Sequence, residues 1–240
     1  HFDRAFALTN RLRTEGTDHL LSAARAAGTT RFIAQSFAGW PFERTGGPVK
    51  TEDDPLATDP PKAVRTTLDA ILHLERAVTG ADWLEGIALR YGGFYGPGTS
   101  LQVDPPGEQI EMILKRKLPI VGNGAGVWSL VHVADAASAT VLALERGRRG
   151  VYHVADDEPA RAADLLPAIA EIVGAKRPMR VPSWVGRLLA GEPAVVMMTE
   201  IRGASNEKAK RELGWELRYP SWRQGLAEAA SSPSQMEVVA

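Results

Sequence analysis

Apolar positions along the chain fall into two spacings that alternate. From Arg11 to Ala27 an Ala/Leu-rich stretch places Leu12, Leu20, Leu21 and Ala24 on one side, and Gly28 follows where a helix C-cap belongs. The next run, RFIAQSF, reads as a buried strand ending at Ser36. A Pro- and Gly-rich loop, WPFERTGGPVKTEDDPLATDPP, separates it from a helix marked by Val64, Leu68, Ile71, Leu72, Glu75 and Val78 and entered through Pro60 and Pro61. LEGIALR is the second strand. Helical and strand spacings in alternation predict βαβ units, hence an α/β chain with a mostly parallel sheet.

The second strand runs into a glycine-rich, tyrosine-bearing loop, LRYGGFYGPGTS from Leu89 to Ser100. A chain leaving a parallel strand does so at the carboxyl edge of the sheet, where ligands bind in open α/β folds. Beyond Ser100 the pattern predicts a helix near Glu108 to Lys115, a hairpin around GNGAG, a helix from Asp135 to Arg146 and a strand GVYHVAD. Helices near Ala162 to Val173 and Asn206 to Leu213 follow, the latter leading into GWELRYP. No internal repeat or low-complexity block interrupts the series.

Composition narrows the function. At 240 residues, with 44% hydrophobic and 24% charged content, the chain buries one sizeable core or two modest ones. A net charge of -1 with scattered basic residues gives no footprint for nucleic acid or an anionic membrane, so neither is expected as a partner. With Cys 0 there is no disulfide framework, thiolate metal site or cysteine nucleophile, which fits a cytoplasmic setting. No apolar stretch approaches the roughly 20 residues of a spanning helix, and no signal segment opens the chain. The first residue is His1 rather than Met, so the start reads as a cut.

Seven landmarks then occur in order: EGTDHLLSAARAAG, RFIAQS, TEDDP, LRYGGFYGPG, VHVADAA, GVYHVAD and SNEKAKRELGW. In this order and spacing the chain resembles an extended short-chain dehydrogenase/reductase of the NAD-dependent epimerase/dehydratase family. The resemblance covers nearly the whole chain. It implies a Rossmann-like, mostly parallel sheet with a small mixed C-terminal substrate-binding subdomain. The Rossmann-like part would fall mainly in 1–100 and 129–158, the substrate-side part in 101–128 and 159–235. It also implies NAD or NADP as cofactor and a small hydroxyl or carbonyl substrate handled by an epimerase, dehydratase or reductase.

Two departures from the family stand out. The glycine-rich turn that grips the pyrophosphate is not in this chain; GNGAG, Gly122 to Gly126, has Val127 at the third glycine position. The sheet is therefore expected to be incomplete, its first strands missing. RFIAQS would then be an open apolar edge, which predicts a homodimer through that edge, a complementing fragment, or poor solubility. The second departure concerns the Tyr and Lys that family members usually carry one helical turn apart. Aligned on Glu75, Thr67 and Ile71 occupy those positions, and Lys62 and Arg65 are the nearest cations. The family's usual proton transfer is thus not expected here, and a non-catalytic dinucleotide-binding or sensor protein is the alternative.

By resemblance the site residues are these. Ser36 is the catalytic-side hydroxyl, or a strand-end hydrogen bond with Phe37 in the working position. Tyr91, Gly92 and Gly93 would line the cofactor; Phe94 and Tyr95 would face the substrate, or pack an exit turn. Trp128 stands where nucleotide-sugar enzymes often use an arginine; its flat face suits an apolar or planar ligand, or plugs the core. Arg202 offers an anion contact. Asp135 reads as a helix cap and His132 as a hydrogen-bonded structural residue. No metal is expected.

Overall fold

The computed structural model describes residues 5–39 and 42–231; Trp40 and Pro41 of the long loop, and His1, lie outside the described residues. In chain order the strands are β1 (Arg31–Phe37), β2 (Val49–Lys50), β3 (Glu85–Tyr91), β4 (Gly93–Tyr95), β5 (Ile120–Val121), β6 (Val127–Trp128), β7 (Leu130–His132), β8 (Gly150–Val154), β9 (Ala160–Arg161), β10 (Arg180–Val181) and β11 (Gly203–Ala204). The helices are α1 (Ala7–Arg11), α2 (Thr17–Ala26), α3 (Lys62–Thr79), α4 (Glu108–Leu114), α5 (Val133–Arg146), α6 (Ala162–Ile172), α7 (Ser183–Thr199), α8 (Glu207–Leu213) and α9 (Trp222–Ser231). A π-helical turn, Leu12–Gly16, joins α1 to α2, and Gly28 ends the run at φ +67°.

The centre is a parallel sheet in the order β1, β3, β8. Period-two alternation sorts its side chains. Ile33, Ile87, Leu89 and Tyr91 pack with Ala136, Ala139 and Ala143 of α5, while Phe32 and Ala34 pack with Leu74 and Val78 of α3. Gly86 is required by the α3 side, since a Cβ there would lie 1.8 Å from the Val78 carbonyl oxygen. Strand β1 is less buried than its apolar run predicts: Ala34 and Ser36 are buried, Phe32 and Ile33 are half-buried and Gln35 is exposed. Among the described residues β1 pairs on one side only.

A second core covers the carboxyl side. It joins Tyr95, Leu101, Ile110 and Ile113 to Leu165, Leu166, Ile169 and Trp222. Short ladders from distant segments enclose it: β4 with β7, β5 with β10 and β2 with β11 in parallel, and β6 with β9 antiparallel. The expected hairpin at GNGAG is therefore corrected. Strands β5 and β6 flank that turn but pair with β10 and β9, not with each other. The turn itself is real: Gly122 and Gly124 have φ +61° and +64°, and Asn123 Oδ1 accepts the Ala125 N–H at 3.0 Å. Its carbonyls at Gly124 and Gly126 accept the first N–H groups of α6, from Ala163 and Ala162.

Candidate active site

Past the carboxyl ends of β1 and β3 lies a cavity of about 380 Å³, within the size range of small-molecule sites. Its walls come from four places. Phe37 and Ala38 follow from β1, Gly93 and Phe94 from β4, Trp128 and Ser129 from the β6 end, and Met197 and Ile201 from α7 and the residue just past it. Leu101 closes one side, and Thr99, Ser100 and Gln109 supply neutral hydrogen-bonding groups. Among the described residues, none of those lining the cavity carries an ionisable side chain.

Of the residues the sequence singles out, Gly93, Phe94 and Trp128 meet in this cavity, together with Phe37. The Trp128 indole N–H donates to the Met197 carbonyl at 2.8 Å, so its ring is fixed to α7 as a wall. Tyr91 faces a separate open groove with Gln35 and Thr140, and Phe94 borders both spaces. Its phenol bonds the Thr140 hydroxyl at 2.5 Å, and burial raises its pKa. Gly92 lies inside the fold: its N–H donates to the Val154 carbonyl, and a Cβ would meet the Ser129 carbonyl oxygen at 2.7 Å.

Ser36 is elsewhere. Its buried hydroxyl donates to Glu75 on α3, whose carboxylate also takes two bonds from Arg90, Nε at 2.7 Å and Nη2 at 2.6 Å. Arg90 also reaches His153 Nε2 at 3.3 Å, and the His153 backbone N–H donates to Glu52 at 2.7 Å. Burial, then the Arg90 charge, lowers the His153 pKa to about 3. Thr67 and Ile71 are buried on α3, with the Thr67 hydroxyl accepting from Asn10 at 3.0 Å. Neither lines the cavity.

Tyr95 borders a second cavity of about 230 Å³ with His132 and Tyr219. Its own side chain is fully buried, and burial together with the nearby Asp156 and Asp135 carboxylates raises its pKa, so it stays neutral. Arg202 lines neither cavity; its guanidinium donates to the Arg44 carbonyl and ties the long loop to β11. The helix cap expected of Asp135 belongs to His132, whose Nδ1 accepts the Ala134 N–H at 3.1 Å. Asp135 is instead buried and accepts the backbone N–H groups of Arg218 and Tyr219. Leu101, Met197 and Ile201 are site residues that the sequence reading does not find.

The residues present fit the nicotinamide end of a reduced dinucleotide, whose ring carries no charge: flat faces at Phe37 and Phe94, a glycine backbone at Gly93, and no charge in the wall. Pyrophosphate has no counterpart cradle among them.

The chain matches known proteins. The model of the NAD dependent epimerase/dehydratase family matches residues 6–155. A 3-diazoavenalumate denitrifying reductase from a Streptomyces species is 47% identical over 92% of this chain and 72% of its own length. A UDP-glucose 4-epimerase from Corynebacterium glutamicum is 29% identical over 88% of this chain and 65% of its length, so the chain spans just under two thirds of that relative. Among solved structures, the human epimerase family protein SDR39U1 with NADPH superposes with a TM-score of 0.74 at 18% identity, covering 92% of this chain and 72% of that one, which shows the fold.

Proposed function

We propose a reductase, starting from the fact that the chain belongs to the NAD dependent epimerase/dehydratase family. It transfers hydride from NADH or NADPH to a planar acceptor held in the cavity, and an acceptor that loses dinitrogen, and so needs no proton from the wall, suits that cavity best. One observation carries this: no described residue of the cavity wall is ionisable.

Reduction of a carbonyl takes up a proton as well as a hydride, and an enzyme site has to deliver it. A diazo-type acceptor in its diazonium form needs none. The C–N bond breaks with its electron pair leaving on dinitrogen, the C–H bond forms with the hydride pair, and R–N₂⁺ plus H⁻ gives R–H plus N₂. When bound, the reduced nicotinamide supplies that hydride. The relative named as a denitrifying reductase of a diazo compound supports this choice.

The chain's own residues then bind, orient and exclude water. Trp128, Phe37 and Phe94 offer flat apolar faces, and Leu101, Met197 and Ile201 keep water out. A nucleoside diphosphate sugar fits poorly, because its negative charges would be buried against a wall without a cation, whereas the aromatic faces of Trp128, Phe37 and Phe94 attract the single positive charge of a diazonium group. The test is product analysis with deuterium-labelled reduced cofactor. Label in the product, one dinitrogen per cofactor oxidised and a flat rate across neutral pH are expected. Inert diazo compounds, together with a carbonyl reduced more slowly as pH rises, would overturn the reading.

The burial of Thr67 and Ile71 at the Tyr and Lys positions also favours a second reading, a non-catalytic dinucleotide-binding protein. Cofactor binding with no turnover of either substrate class distinguishes it.

A further inference from the structure

We propose that the first half of α7, with the segment leading into it, is a docking surface for an anionic lipid bilayer. Trp184, Leu188 and Leu189 are 70%, 78% and 78% exposed, and Met179 is 48% exposed just before them. Trp184 and Leu188 stand one helical turn apart and share a face. Large apolar side chains this exposed and this close together mark an interaction surface.

Charge selects the occupant. Lys176, Arg177, Arg180 and Arg187 are all exposed, and no Asp or Glu occurs from Lys176 to Gly191. None of the four joins any ion pair among the described residues. Scattered basic residues in the sequence predict no anionic-membrane partner; these four, bordered by the exposed Glu171 and Glu192 but with no acid between, form a local cluster that departs from that expectation. A Trp and two Leu beside Arg and Lys form the amphipathic pattern of helices that lie in a headgroup layer. The patch lines neither cavity described above, so it is separate from the candidate site.

The patch is well anchored. The Met179 carbonyl accepts the Ile120 N–H at 2.8 Å, and β10 pairs with β5 directly before α7. Gly191, at φ +81°, breaks the helix between this half and the half that carries Met197 into the cavity wall. Docking would therefore hold one end of the helix that walls the site, whatever reaction the site performs.

The test is co-sedimentation of the purified protein with phosphatidylcholine vesicles, with and without phosphatidylglycerol. Binding to the anionic vesicles at low salt is expected, with a preference of up to roughly a thousandfold over neutral ones for a cluster of four cations. High salt should abolish it as screening shortens. Two variants should each lose binding with unchanged circular dichroism and thermal unfolding: Trp184→Ser/Leu188→Ser/Leu189→Ser, and Arg177→Glu/Arg180→Glu/Arg187→Glu. Equal or no binding to the two vesicle types at low salt overturns the proposal. So does a concentration-dependent dimer that the apolar variant dissolves while vesicles are ignored, since the patch would then be a contact between copies.

Discussion

Glu75 and Arg90 form a bidentate ion pair inside the protein, their side chains 6% and 4% exposed. The pair bolts α3 to the middle strand of the sheet, and Ser36 and His153 complete its hydrogen bonds. Removing one partner strands the other charge away from water. Glu75→Gln is expected to cost about 3–5 kcal/mol in denaturant unfolding, the usual range for a broken buried pair. The double variant Glu75→Leu/Arg90→Met should recover most of that loss, because it leaves no lone charge.

Ser36→Ala tests where the chemistry lies. The hydroxyl serves Glu75 and does not border the cavity, so turnover is expected to stay within about twofold while stability falls by about 1.5–3 kcal/mol, the worth of a hydrogen bond to a charged group. A collapse of kcat without loss of stability would return Ser36 to the reacting centre.

Trp128→Phe keeps a flat ring but deletes the N–H that holds the Met197 carbonyl. Substrate KM is expected to rise about fivefold, the equivalent of roughly 1 kcal/mol, with cofactor affinity unchanged. Steady-state kinetics beside cofactor titration separates the two.

Two buried groups shape the pH dependence of stability in opposite senses. His153 has its pKa lowered to about 3 by burial and by Arg90, against 6.5 when exposed. The unfolded chain therefore binds the extra proton between those values, and this group's contribution is lost as pH falls from 6.5 toward 3. Asp156 has its pKa raised to about 8 by burial, against 3.8 when exposed. Here the folded state holds the extra proton, and stability is lost as pH rises from 3.8 toward 8. The two slopes cancel between 3.8 and 6.5, so a plateau is expected there with a decline on either side. Thermal unfolding across pH should show it, and Asp156→Asn should remove the alkaline decline and turn the plateau into a slope, stability then falling as pH drops below 6.5.

The sheet and its helices were legible because their side chains obey one local period. Ile87, Leu89 and Tyr91 alternate as a strand must, and Leu68, Ile71 and Val78 fall on one helical stripe. The tail was not legible in the same way. Gly191 and Pro193 interrupt α7 and hide it as a helix, yet α7 and the residue after it deliver Met197 and Ile201 to the cavity. Gly225 looks like a breaker in α9, but a Cβ there would lie 2.6 Å from the Tyr95 ring, so packing demands it. GNGAG announced a turn truthfully and its partners falsely, since two-residue ladders carry no pattern that names the strand opposite. Phe94 and Trp128 both reach the cavity wall from segments that the sequence reading singles out. The role of Asp135 was not legible, because its partners Arg218 and Tyr219 arrive from the far end of the chain.

Those short ladders also set an order of assembly. Val49 meets Gly203, Ile120 meets Arg180, and Val127 meets Arg161, each over a long stretch of intervening chain. Closing such loops costs entropy that a two-residue pairing scarcely repays, so these junctions form after the central sheet and release before it. Amide exchange should be fast at Val127 and Gly203 and slow at Ile87 and Leu89. The β6 side of the cavity wall, Val127 and Trp128, thus opens more readily than the sheet, and traffic in and out of the cavity can proceed by local breathing there while the sheet stays intact.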